Sequence, residues 1–185
     1  MNNIGNTILA LAVGCVFLFV VPMVTLTDRV DNVTQENTDL IVSEFVTDIT
    51  NTGLLTRTKY EDFEGKLAST GNVYDIEIEI QHLDENPEKK TAQANYTKIG
   101  ENVYYSEYTT QILNKIGIKV DNNDIVETLK DTIALKEGDF IFVKVKNQNV
   151  TASQNLKSSF LGFSNADEYV ITSQSSGMVT VNGVK

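Results

Sequence analysis

Residues 8–26 read ILALAVGCVFLFVVPMVTL, with one threonine and no charged side chain. As a helix rising 1.5 Å per residue, this stretch covers about 28 Å, close to the hydrocarbon thickness of a bilayer. On its N-terminal side, Met1-Asn2-Asn3-Ile4-Gly5-Asn6-Thr7 carries no basic residue, and Thr25-Leu26-Thr27 is a poor small-x-small cleavage site. A cleaved secretory signal has a basic start, a shorter apolar core and such a site. The stretch is therefore expected to be a retained membrane segment.

On its C-terminal side the periodicity continues. Val30, Val33, Leu40, Ile41, Phe45 and Ile49 follow at spacings of three and four, with one missed turn at Asn37. Asp28, Arg29, Asp31, Gln35, Glu36, Asp39, Glu44 and Asp48 lie between them, and Gly53 supplies a C-terminal stop. The reading is one helix from about residue 3 to 52, roughly 75 Å long. Its first half is apolar all round and its second half amphipathic. Val33, Leu40, Ile41, Phe45 and Ile49 are expected to pack on the rest of the chain, near Ile76, Ile78 and Ile80. Gly14 lacks a side chain and Pro22 lacks a backbone donor, so the helix is expected to be weakened or kinked between them.

The remaining residues form a soluble head, giving a division into 1–53 (helix) and 54–185 (head). All 15 Lys/Arg and 25 Asp/Glu lie from Asp28 onward, so the net charge of −10 belongs to this part. An acidic surface argues against nucleic acid as a partner, which needs a Lys/Arg face. Cys15 is the one cysteine and lies in the apolar stretch, so the head folds without an internal disulfide. Thr56 to Leu67 reads as a short helix with a Thr58/Glu61 capping box. Val73 to Leu83 alternates Tyr74, Ile76, Ile78 and Ile80 with Asp75, Glu77, Glu79 and Gln81, the period of a half-buried strand. Asp84-Glu85-Asn86-Pro87 breaks it. Tyr104 to Ile116 fits helix or strand, Asp124 to Glu127 a capped helix, and Leu156 to Leu161 another. Gly138-Asp139 turns into a strand at Phe140 to Val145, and Tyr169–Thr172 and Met178–Val181 are final strand candidates. The expected fold class is α+β: a long N-terminal helix packed on a small, mainly antiparallel sheet with short helices.

Residues that carry chemistry are few. His82 is the lone histidine, in phase with Ile78 and Ile80, and reads as a partly buried strand-end side chain. Glu77 and Glu79 share a face that alternation places in solvent. Asp121-Asn122-Asn123-Asp124 lacks the glycine and the distal glutamate of a calcium loop. The Asn-x-Thr triplets at Asn32, Asn95 and Asn149 match chance expectation in an Asn-rich chain. No catalytic, cofactor-binding or metal-binding residue is expected, and an enzyme is not the favoured class.

The apolar run Ile8–Leu26, the Gly14/Pro22 pair and the amphipathic continuation to Thr52 resemble the type IV pilin superfamily, with its pseudopilins and tight-adherence subgroup. The segments NTGLLT (51–56), YEDF (60–63), ASTGNVYDI (68–76), GDFIFVKVKN (138–147) and GMV (177–179) look like uncharacterised clostridial proteins of pilus-type loci. The resemblance implies a structural subunit, held in the membrane by a single pass and then assembled with further copies into a helical, cell-surface filament by pilus assembly machinery. It implies self-assembly through Ile8, Leu9, Val13, Gly14, Phe17, Val20 and Pro22, and it places the head outside, where Arg29 alone leaves the positive-inside rule nearly silent. The sequence departs from the family in having no basic leader before Gly5 and no glutamate before Glu36. Leader processing and glutamate-to-amine registration are therefore not carried over. The other readings are a minor pseudopilin or anchored accessory factor, and a membrane-tethered binding domain or enzyme.

Overall fold

A computed structural model describes residues 3–83, 104–118, 131–151, 154–155, 158–159 and 170–184. The first element is the expected long helix, α1 (Asn3–Thr52), which runs through Gly14 and Pro22 without interruption. It stops at Gly53, whose φ of 64° suits glycine and whose N–H donates to the Ile49 carbonyl at 2.8 Å. A side chain there would also run into the backbone of Val181 and Gly183, which cross beneath the helix end.

The chain continues through β1 (Leu54–Thr56), α2 (Arg57–Ala68), β2 (Tyr74–Leu83), β3 (Tyr104–Tyr108), α3 (Thr109–Lys115), β4 (Thr132–Ala134), β5 (Phe140–Asn147) and β6 (Thr172–Met178). β1 and β4 form an antiparallel ribbon centred on Leu55 opposite Ile133. The other strands form an antiparallel sheet in the order β3-β2-β5-β6. The fold is α+β, as the sequence predicts.

Several elements differ from expectation in detail. α2 is capped by Thr56, which accepts from Lys59 N–H at 3.2 Å, so the Thr58/Glu61 box does not form. Tyr104–Ile116 is both strand and helix, divided after Tyr108. The last strand covers Thr172–Met178, between the two segments favoured by composition. Its sequence, TSQSSGM, has poor strand propensity but suits its position under α1. Ser173, Ser175 and Gly177 alternate toward the helix and let it approach closely. A Cβ at Gly177 would lie 2.8 Å from Thr50 Cγ2. The expected turn at Asp84–Pro87, the calcium-like run Asp121–Asp124 and the helix at Asp124–Glu127 lie outside the described residues, and of the helix expected at Leu156–Leu161 only Ser158 and Ser159 are described, both helical.

One core joins the pieces. Ile78 and Ile80 of β2, Ile141, Val143 and Val145 of β5, Tyr60, Phe63 and Leu67 of α2, and Ile112 and Leu113 of α3 are buried together. From α1 the core takes Val42, Phe45, Val46 and Ile49, and Phe45 stacks on Phe63 with ring centroids 4.1 Å apart. α1 lies chiefly along β6 rather than along the isoleucines of β2.

The head-facing stripe of α1 is only in part the predicted one. Phe45 and Ile49 are buried and Ile41 is partly so, but Val30, Val33 and Leu40 point to solvent. In their place the helix presents Asp31, Gln35 and Thr38, each held by a hydrogen bond. Thr151 Oγ1 donates to Asp31 Oδ2 at 2.8 Å, and Thr38 meets the Tyr74 hydroxyl at 2.9 Å. The Gln35 amide both donates to the Thr172 carbonyl (2.9 Å) and accepts from its N–H (3.2 Å), closing the free edge of β6 there. Hydropathy cannot register contacts made by hydrogen bonding. At 100° per residue, Val33 and Leu40 lie roughly opposite Phe45 and Ile49.

Candidate functional site

The sequence-predicted assembly residues Ile8, Leu9, Val13, Gly14, Phe17, Val20 and Pro22 all fall on the first half of α1 and are distributed round its circumference. All are exposed except half-buried Val20. This helix is long and apolar enough to cross a membrane. Regular backbone satisfies its own hydrogen bonds, the condition for a segment in lipid. The helical assignment continues through Gly14 and Pro22, since a single proline costs one donor while the turns on either side keep theirs. Just beyond, the Thr25 hydroxyl donates to the Val21 carbonyl at 2.6 Å, so it too is satisfied within the helix. Gly14 leaves a shallow notch: a Cβ added there meets nothing within 4 Å.

The apolar surface does not end with the span. Leu26, Val30, Val33 and Leu40 are 61%, 58%, 59% and 57% exposed, on the side away from the head. Of these, Val33 and Leu40 are the ones the sequence pattern places against the head, because their spacing merges with that of Phe45 and Ile49. A helical wheel centred on Phe45 separates the two stripes, so the signal was present.

Two features of the head carry polar chemistry. On the outer face of the sheet, the register aligns Tyr108, Glu79, Phe142 and Ser176 in a row across all four strands. Beside them Glu77, Lys144 and Gln174 form a second row, with Lys144 Nζ 2.9 Å from Glu77 Oε2. Together they line an open groove of about 650 Å³. Hydrogen bonds from Gln81 (3.0 Å) and Ser106 (2.7 Å) hold the Glu79 carboxyl below its ordinary pKa. Glu77 and Glu79 thus face solvent with neighbours of their own.

The second feature surrounds His82. Its Nδ1 lies 2.9 Å from Asp139 Oδ2, its Nε2 lies 3.7 Å from Glu107 Oε2, and its ring packs on Tyr105. Glu107 also pairs with Lys115. Asp139 accepts from the N–H groups of Leu83 (3.1 Å) and Lys136 (2.9 Å). Burial alone would raise the Asp139 carboxyl, but these bonds and the His82 contact outweigh it and hold it below the usual carboxylate range. The histidine is a strand-end side chain, as expected, fastening the end of β2 to the turn before β5. Among the described residues, no group of three or more His, Cys, Asp or Glu is arranged to hold a metal ion.

Of the polar features, neither rivals the long helix in extent of unpartnered surface. No protein-family model, curated protein or solved structure matches the chain.

Proposed function

We propose that this chain is a structural subunit of an extracellular, type IV pilus-like filament, anchored in the membrane by α1 before assembly. The observation that carries the reading is the construction of α1. Its first half is apolar all round and contributes no buried residue to the fold, while its second half is built into the head core. An unbroken helix of that kind couples the position of a membrane segment to that of a soluble domain.

In this reading the span is stored in lipid and then exchanges lipid contacts for contacts with the same helix of neighbouring copies, through Ile8, Leu9, Val13, Phe17 and Val20. Side-chain packing rather than hydrophobic transfer drives such an exchange, since lipid and filament core are equally apolar. Gly14 and Pro22 ease it by weakening the helix locally, glycine by about 1 kcal/mol relative to alanine. The acidic head then coats the exterior, and assembly machinery supplies the work of extraction. The resemblance to pilins from the sequence supports the same conclusion, whereas an acidic head offers nothing to nucleic acid.

Electron microscopy of material sheared from cells tests the proposal. Regular fibres containing this chain are expected, reduced in yield by Phe17→Ala. A protein confined to membranes, with no fibres, would instead make it an anchored accessory factor.

A further inference from the structure

The exposed stripe beyond the span has a stricter pattern than amphipathicity requires. Met23, Leu26, Val30, Val33, Asn37 and Leu40 follow one another at intervals of three, four, three, four and three. These are the a and d positions of a heptad: Met23, Val30 and Asn37 at a, Leu26, Val33 and Leu40 at d. All six are exposed on α1. The b and f positions, by contrast, include Asp31, Thr38 and Val42, which are buried against the head. Thus the head covers one side of the helix and leaves the heptad seam on the other.

Past Leu26 the helix leaves the length that a bilayer covers, so Val30, Val33 and Leu40 face water unless another surface meets them. We propose that two copies of this chain pair in parallel along this seam while both are anchored in the same membrane. Three observations select a second copy as the occupant. Val30 at a with Leu26 and Leu40 at d follows the pattern of a two-stranded parallel coil, from which Met23 at a and Val33 at d depart. Asn37 interrupts the seam at an a position, and a carboxamide is both donor and acceptor, so its best complement is another Asn37. The flanking positions Thr27, Arg29, Thr34, Glu36 and Ile41 bring no like-charged pair together in a parallel, in-register dimer, although the chain as a whole carries −10. Anchorage at the N-terminal end of both helices dictates the parallel orientation.

The seam from Met23 to Leu40 is about two and a half heptads, fewer than the three or four that sustain a coiled coil in solution. Pairing therefore depends on the shared membrane, which raises the effective concentration of one seam for the other. This dimer goes beyond the filament reading and shares with it only the membrane anchor.

Disulfide scanning of the full chain in phosphatidylcholine vesicles tests the seam, because Cys15→Ser removes the single native thiol. Single cysteines at Leu26, Val30, Val33, Asn37 and Leu40 should cross-link under mild oxidation several-fold more than cysteines at Asn32 and Asp39 on another exposed face. Adding Asn37→Asp to the Val33→Cys chain, which sets two carboxylates against each other at an exposed position, should reduce its cross-linking to the Asn32→Cys level. Equal cross-linking on all faces, a maximum at Asn32 or Asp39, or monomer at every position would overturn the proposal. Those outcomes leave the sheared-fibre experiment untouched, and absent fibres alongside periodic cross-linking would remove only the filament reading.

Discussion

The two halves of α1 belong to one unbroken helix but obey different rules. From Asn3 to Val30 no residue is buried, whereas from Asp31 to Thr50 seven are, on a single stripe. The first half is strongly apolar and does nothing for the fold. The second is mixed in polarity and holds the core. Apolar character therefore does not report which part of a helix stabilises a domain. Contact does, and part of that contact is polar: Asp31, Gln35 and Thr38 are fixed by Thr151, Thr172 and Tyr74. The halves are expected to respond separately to mutation.

The largest contrast comes from deleting the first half. A chain starting at Asp28 loses no buried residue, so it is expected to fold, to melt at the temperature of the intact head and to leave the membrane fraction completely. Membrane sedimentation checks this. A truncated chain that still partitions with membranes would mean that the anchoring surface lies in the head.

Next in size is the pair Phe45 and Phe17. Phe45 is 6% exposed and stacked on Phe63, and Phe17 is 62% exposed. Phe45→Ala should cost about 3–5 kcal/mol in head stability, a large share of what a small domain has. Phe17→Ala should leave thermal melting unchanged while lowering fibre yield. Equal melting of native and Phe45→Ala heads would show that α1 is not part of the core.

That pair also marks what the sequence could and could not tell. The helix, its extent and its stop at Gly53 were legible, because three-four periodicity and a left-handed glycine are local signals. The strands β2 and β5 were legible from their alternation. The strand β6 was not: Ser173, Ser175 and Gly177 are chosen for the closeness of α1, a long-range demand that lowers local strand propensity. The identity of the packed stripe was half legible, since Phe45 and Ile49 were placed correctly and Val33 and Leu40 were not. Of the exposed apolar surface of α1, the span is plain from its hydropathy, while the same periodicity places Val33 and Leu40 against the head, where they do not lie.

Two glycines sharpen the comparison at a smaller scale. At Gly177 a Cβ would lie 2.8 Å from Thr50 Cγ2 and 3.4 Å from Val46 Cγ1. Both neighbours are β-branched and confined by the core, so Gly177→Ala should destabilise the head by about 1–3 kcal/mol. At Gly14 the space is open, and Gly14→Ala should strengthen the helix by about 1 kcal/mol without moving the melting temperature of the head. Denaturant titration of both variants decides it, and a stabilised Gly177→Ala head would mean that α1 and β6 are less closely apposed than described.

The smallest effect at neutral pH concerns Tyr60, which lies in the core shared by α2 and the second half of α1. Burial, with a smaller contribution from the nearby charge of Glu64, pushes its phenol up to about 12. The folded state thus resists ionisation that the unfolded chain undergoes near pH 10. A folded pKa above the unfolded one gives stability that is fully present below pH 10 and is lost as pH rises from 10 to 12. Two units correspond to roughly 2–3 kcal/mol. Tyr60→Phe should melt like the native head at pH 7 and then retain more stability above pH 10, the gap widening toward pH 12. Parallel decline of the two heads across that range would show that the phenol reaches water in the folded state. The second half of α1 would then sit on a wetter core than the burial of Tyr60 implies.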